Sequence, residues 1–298
     1  MMLEAVAADA ARDGSLEVTA LVDGDHDVML PSGVCRQPVP QGHEVDTLTT
    51  AAARADWTLL VAPETDGILV DRVARVRAAG AAVLASNTAF LTTAADKQAT
   101  IDALAAAGVP VPAGRSLAAG ESAPAGFHLP AVRKARASAG SDGLEVIHER
   151  TDFSTVAIAT RLEALVPGTP VGVSCLCGGG APEILPPLRQ LFTTGDRPHY
   201  LGSEPLSDRS VAARATALAR RAVAAVERAS GGASAVGWVG VDMLLGDRHD
   251  GRDDRVLEVN PRLTTSFVVQ ASMASTSLVR SLIDRAVASR DHASSAFR

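Results

Sequence analysis

Aromatic residues are scarce in this chain: they make up 3%, with a single tyrosine and two tryptophans. The interior must therefore be built mainly from Ala, Val and Leu. Cysteine is also rare. Three residues, Cys35, Cys175 and Cys177, are too few for a disulfide framework. Cys175 and Cys177 share one face of a strand-like run and read as small apolar fillers. The seven histidines show no metal-ligand spacing. Basic charge is in deficit, with a net charge of −6 and a pI near 5.6. That disfavours a nucleic-acid surface, which is normally basic. It leaves room for a local basic site that takes a small anion. No apolar run suits a membrane span, because the longest uncharged stretch, Ala164 to Pro182, is broken by Gly and Pro. The chain opens with Glu4 and Asp9 rather than the basic flank of a secretory signal, so a soluble cytoplasmic protein is expected.

What is present is a long chain with ample core: 298 residues, 47% of them apolar. The first ninety residues alternate as a parallel α/β layer. Leu3 to Ala11 reads as a helix and Leu16 to Val22 as a strand. Asp56 to Ala62 reads as a strand, Asp66 to Ala79 as a helix closed by Gly80, and Ala81 to Ala85 as a short buried strand. Such a layer normally opens with a strand, whereas this chain opens with a helix, so either a first strand is expected to be missing or the sheet is one strand short. A second block begins with a helix from Asp96 to Ala107, ended by Gly108. Strands at Pro130 to Ala135 and Leu144 to His148 follow. The third block holds strands at Val171 to Cys177 and around Ile184 to Phe192, then a long helix from Asp208 to Ala229. There Val211, Ala215, Leu218, Ala222 and Val226 recur on one face. The expected division is 1–92, 93–160 and 161–298.

Two further runs, Ala235 to Leu245 and Val256 to Asn260, flank a polar stretch centred near Asp250. Alternation puts Glu258 and Asn260 on one face, with Leu257 and Val259 on the other. If the runs form a hairpin, Asp242 falls opposite Glu258. Like charges facing each other across a ladder are destabilising. Two carboxylates beside an Asn carbonyl make better sense around a hard cation such as magnesium.

Lys134 leads a strand into a small Gly-containing loop, 137–143, with Ser138, Gly140 and Ser141 within it. Such a loop can lay backbone N–H groups against phosphates, and the lysine adds a point charge. Glu163 precedes the apolar segment Ala164, Leu165, Val166 and then Pro167-Gly168. A carboxylate there can take an adenine amino group while the 164–166 backbone reads the base edge. Lys97, at a helix start, carries no signal alone.

In this order the features resemble the ATP-grasp superfamily from about Asp56 to Phe267. The order runs from Asp96-Lys97 before Gly108-Val109-Pro110 through the Arg133-Lys134 strand and Glu163. It ends with Asp242 and Glu258-Val259-Asn260-Pro261-Arg262. The resemblance implies an α/β fold: a Rossmann-like pre-ATP-grasp domain followed by a two-part α+β ATP-grasp domain. It implies that Lys97 and Lys134 hold ATP phosphates, that Glu163 and residues 164–166 hold adenine, and that Asp242, Glu258 and Asn260 carry magnesium or manganese. Arg262 would neutralise the transferring phosphoryl group, with Lys134 sharing that catalytic role. The segments Ala62 to Leu69, Leu188 to Gln190, Asn260 to Ser266 and the opening Met2 to Ala5 look like the tyramine–glutamate ligase group of methanofuran biosynthesis. There Arg189 would pair with glutamate. Members of that group carry a strand and a glycine-rich turn before this helix. One departure stands out: Pro170 occupies a place where ATP-grasp enzymes often carry a ribose-binding acid.

The expected activity is an ATP-dependent carboxylate–amine ligase working through an acyl phosphate, with an amino acid and an amine as small-molecule partners. A homo-oligomer is left open. Ligases for other amino acids, a carbamoyl-phosphate-type kinase and a non-catalytic ATP-binding regulator are alternatives. A Rossmann-type dehydrogenase is disfavoured, since no Gly-x-Gly-x-x-Gly follows a first strand.

Overall fold

The computed structural model describes residues 1–124, 126–137, 143–149 and 155–295. The N-terminal unit begins with α1 (Met2–Ala11), then β1 (Thr19–Asp23) and β2 (Cys35–Val39), paired in parallel with Thr19 opposite Cys35. Helix α2 (Glu44–Ala52) follows. A 3₁₀ turn (Thr65–Gly67) leads into α3 (Ile68–Ala78), which stops at Gly80 with φ +75°. Leu48, Leu69, Val73, Val76 and Val83 form the core of this unit.

The strands expected at 56–62 and 81–85 are not formed as ladders. They reduce to one parallel bridge, Thr58 with Val83. The reason is competition for partners. Two residues after Val83, Ala85 bridges Gly237 instead. Ser86 Oγ then exchanges hydrogen bonds with the Val236 backbone at 3.0 and 3.1 Å. The segment is shared between two units, so neither can extend a ladder along it.

Helix α4 (Thr88–Ala95) starts on the Asn87 side chain, which accepts from the Phe90 N–H at 2.8 Å. Helix α5 (Lys97–Ala106) starts in the same way on Asp96. A four-stranded antiparallel sheet follows, made of β3 (Gly114–Leu117), β4 (Ala131–Ala135), β5 (Glu145–Ile147) and β6 (Thr160–Ala164) in the order β3-β6-β4-β5.

The large sheet is built from β7 (Thr169–Cys177), β9 (Leu188–Phe192), β10 (Tyr200–Pro205), β11 (Gly237–Leu245) and β12 (Arg255–Asn260). Its order is β10-β9-β7-β11-β12, with the short β8 (Glu183–Ile184) on β7. Alternation divides its faces. Val171, Val173, Cys175 and Cys177 of β7, with Val239, Val241, Met243 and Leu245 of β11, pack against α6 (Arg209–Ala229). The helix presents Ala215, Leu218, Ala222 and Val226, the face its periodicity predicts. Cys175 and Cys177 thus act as core fillers, and burial pushes the Cys175 thiol up to about 12. The opposite face is apolar at one end only. Leu176 and Trp238 pack there with α7 (Ser266–Met273), α8 (Leu278–Ser295) and α1. Its other end carries Gly172 and Asp242, and the candidate site lies there.

Candidate functional site

Strands β11 and β12 pair antiparallel with Asp242 directly opposite Glu258 and Gly240 opposite Asn260. The ladder slips by one residue just after this pair, so that Met243 faces Val256 and Leu257 is extra. The bulge corrects the simple alternation. Val256 and Val259, not Leu257, enter the core. Glu258 and Asn260 precede the slip in the ladder and stay on the side of Asp242, as their pairing with Asp242 and Gly240 requires. Asn260 Nδ2 donates to Asp242 Oδ2 at 2.8 Å, and Gln190 Nε2 donates to Oδ1 at 2.7 Å.

Every cation of the site faces a carboxylate. Lys97, buried at the start of α5, lies 2.9 Å from Glu258 Oε2. Lys134 on β4 lies 2.7 Å from Glu163 Oε1 and also donates to the Leu257 carbonyl at 3.4 Å. Arg161 on β6, 1% exposed, holds the other oxygen of Glu163 at 2.9 Å. It also donates to Gln98 Oε1 at 2.7 Å and to the Pro112 carbonyl at 3.2 Å. Arg262, just beyond β12, forms a two-pronged pair with Glu64 of the N-terminal unit, with Nη2 to Oε1 at 3.0 Å.

The two opposed carboxylates are driven apart in acidity. Burial raises Asp242, and the charge of Glu258 adds to that. Burial acts the same way on Glu258, but Lys97 and Lys134 overcome it and hold that carboxyl below its usual range. Among the described residues no group of three or more His, Cys, Asp and Glu can hold a metal ion. The set here rests on two carboxylates and an amide. With Nδ2 turned to Asp242, Asn260 Oδ1 is the atom able to ligate a cation. An all-oxygen set with unbalanced charge at Asp242 fits a hard divalent ion.

Lys97, Lys134, Glu163, Asp242, Glu258, Asn260 and Arg262 line one region between the two sheets and the N-terminal unit. Ser138, Gly140 and Ser141 lie outside the described residues. In the 164–166 segment the N–H groups of Ala164 and Leu165 go to the Ala113 and Pro130 carbonyls, at 2.8 and 3.1 Å. These two N–H groups are therefore already taken by the fold. Arg189 is not brought to this cluster. It is exposed and pairs with Glu204 of β10 at 3.1 Å, while its neighbour Gln190 reaches Asp242. Sequence reasoning missed Gln190, Glu64 as the partner of Arg262, and Arg161. A strand alternation centred on Arg189 already puts Gln190 on the other face. Nothing in the sequence ties Glu64 to a residue 198 positions away.

The sequence matches the ATP-grasp domain family over residues 94–266, more than half of the chain, and the pre ATP-grasp 3 domain over residues 24–89. The chain belongs to the ATP-grasp family. Solved structures share the fold. An ATP-grasp superfamily protein from Archaeoglobus fulgidus superposes with a TM-score of 0.69 at 20% identity, covering 93% of this chain and 79% of its own. D-alanine–D-alanine ligase from Bacillus anthracis gives 0.64 at 17% identity, covering 87% and 88%. L-amino acid ligase from Bacillus licheniformis gives 0.64 at 16% identity, covering 89% and 66%. No curated protein matches the sequence significantly. No helix among the described residues is long and apolar enough to cross a membrane.

Proposed function

We propose that this protein joins a carboxylic acid to an amine at the expense of ATP, with the γ-carboxyl of glutamate and tyramine as the substrates, as in methanofuran biosynthesis. The observation that carries the narrower reading is a convergence. Three segments that look like the tyramine–glutamate ligase group, Ala62 to Leu69, Leu188 to Gln190 and Asn260 to Ser266, meet at one place. Glu64 binds Arg262, and Gln190 binds Asp242. Beside Arg262 a narrow crevice of about 10 Å³ is walled by Leu59, Leu60, Leu69, Leu84 and Trp238. These are apolar walls of the kind an aromatic amine needs, and admitting a ring requires the N-terminal unit to part from β12.

In this mechanism a substrate carboxylate oxygen attacks the γ-phosphorus of ATP and the bond to ADP breaks. The amine then attacks the acyl carbon, phosphate leaves, and the nitrogen releases a proton. Lys97 and Lys134 exchange their carboxylate partners for phosphate oxygens, and Arg262 meets the charge on the transferring group. Glu163 and the 164–166 segment take the adenine. Asp242, Glu258 and Asn260 would hold magnesium or manganese, which supplies charge neutralisation when bound. Exclusion of water protects the acyl phosphate. ATP and free amino acids place the reaction in the cytoplasm.

The test is ADP release with ATP, Mg²⁺ and glutamate, with and without tyramine, followed by mass analysis. Tyramine-dependent release with a γ-glutamyl amide product is expected. Release that depends on a different amine retires the tyramine assignment. No release with any acid and amine pair, despite ATP binding, overturns the ligase reading.

A further inference from the structure

We infer that Gln190 is a positioning residue for Asp242, and that Gly172 is glycine so that the Gln190 amide can cross the middle strand to reach it. The inference rests on the proposed role of Asp242 in holding the divalent ion.

Gln190 and Asp242 do not sit on neighbouring strands. Gln190 lies on β9 and Asp242 on β11, with β7 between them. Gly172 of β7 pairs with Asp242 on one side and with Leu188 on the other. Paired residues share a face, and Gln190 is two residues beyond Leu188, so all three point to the same side. The 2.7 Å hydrogen bond from Gln190 Nε2 to Asp242 Oδ1 therefore passes over Gly172. A Cβ at Gly172 would lie 3.4 Å from Oδ1, an ordinary contact, but 3.0 Å from Nε2, so the amide would have to give way by a few tenths of an ångström and its hydrogen bond would lengthen. The Gly172 backbone does not need a glycine, since it is absent from the positive-φ residues. A glycine inside a strand often marks a place where another group approaches closely, and the Gln190 amide is such a group here.

The consequence falls on the carboxylate. Asp242 takes one amide donor on each oxygen, Gln190 on Oδ1 and Asn260 on Oδ2. Donors on both sides fix the plane of the carboxylate. An ionised carboxylate has about four lone-pair sites, so two donors leave it able to ligate. A neutral amide achieves this without adding charge. A lysine in the place of Gln190 would compete with the ion, and an acid would repel Asp242 and Glu258. Groups that orient a metal-binding carboxylate typically change metal affinity by about ten- to a hundredfold when removed.

The experiment uses the full chain and Mn²⁺ as a spectroscopic probe. Bound Mn²⁺ is measured by electron paramagnetic resonance with a non-hydrolysable ATP analogue present, in parallel with kcat, KM and melting temperature. The variants are Gln190→Met, which keeps the volume and loses the donor, Gly172→Ala, and the double substitution. Expected for Gln190→Met are Mn²⁺ binding about tenfold or more weaker, a lower kcat, an unchanged KM for the amine and a near-native melting temperature. Gly172→Ala gives a similar loss, and the double variant binds no worse than the weaker single one, because both changes break one bridge. Mn²⁺ affinity unchanged in Gln190→Met, or losses that multiply in the double variant, overturns the inference. If the wild-type chain binds no Mn²⁺ with the nucleotide analogue, the metal assignment itself fails and this inference falls with it.

Discussion

At the scale of single residues, the site holds opposite charges in pairs, which the proposed mechanism has a nucleotide exchange. Glu258 shows the logic. Its carboxylate faces Asp242 across the ladder, an arrangement that costs stability, and Lys97 and Lys134 offset it. Glu258→Gln removes a charge from the proposed metal set while preserving shape. We expect it to lower kcat by about 10²–10³-fold, the range for loss of one electrostatic stabiliser, with an unchanged circular dichroism spectrum. Near-normal ADP release would remove Glu258 from the metal set. Lys134→Ala tests the phosphate role. Arg161 still holds Glu163 after the lysine is gone, so the fold cost is limited. A lost charge-assisted hydrogen bond is worth about 1.5–3 kcal/mol, so ATP affinity should fall by about tenfold or more in calorimetric titration. Unchanged affinity would assign Lys134 to Glu163 alone.

At the scale of elements, the placement of Lys97 depends on how α5 begins. Asp96 accepts from the Gln98 and Ala99 N–H groups at 2.8 and 3.2 Å, and Arg136 grips the same carboxylate. The Lys97 N–H donates to the Arg136 carbonyl at 3.0 Å, which ties the helix start to the end of β4. Asp96→Ala should cost about 1 kcal/mol from the cap alone. The Arg136 pair is a third exposed on both sides and adds at most about 1 kcal/mol. Burial alone would raise the pKa of Asp96, but Arg136 and the two N–H donors hold it below its ordinary 3.8. A lowered folded-state value means that the stabilisation is present above about pH 3.8 and is lost as pH falls through the folded value. The melting-temperature gap between wild type and Asp96→Ala should therefore be full at pH 7 and shrink towards pH 3. A constant gap would show that the charge is irrelevant to the cap. This element was legible in the sequence by its span from Asp96 and its closing Gly108, whereas the cap on Asp96 and its grip by Arg136 were not. The β11–β12 hairpin was legible as well, and its Asp242–Glu258 register followed from placing the turn near Asp250. The bulge at Leu257 was not, because a run of Val and Leu alternates equally well with or without one extra residue. The expected strands at 56–62 and 81–85 failed because period and composition do not reveal that Ala85 and Ser86 are claimed by β11 and the residue before it.

At the scale of the whole molecule, the N-terminal unit reaches the site, among the described residues, through the buried contact of Glu64 with Arg262. That contact was invisible in the sequence, since it joins residues 198 positions apart. Both side chains are largely withdrawn from water, at 3% and 12% exposure. Removing one partner leaves the other charge uncompensated, a change that typically costs about 3–5 kcal/mol. Glu64→Leu should therefore lower the melting temperature clearly and reduce turnover. Adding Arg262→Met removes the stranded charge, and an apolar pair in place of a buried ion pair is often neutral or better for stability. The double variant should thus regain most of the melting temperature, measured by calorimetry, while its kcat stays lost, because the cation proposed to meet the transferring phosphoryl group is gone. Recovery of both would make Arg262 a structural residue and remove it from the mechanism. Recovery of neither would mean that the contact shapes the N-terminal unit by more than charge. The expected split, stability restored without turnover, would assign Arg262 to phosphoryl transfer and Glu64 to holding it while the site is empty.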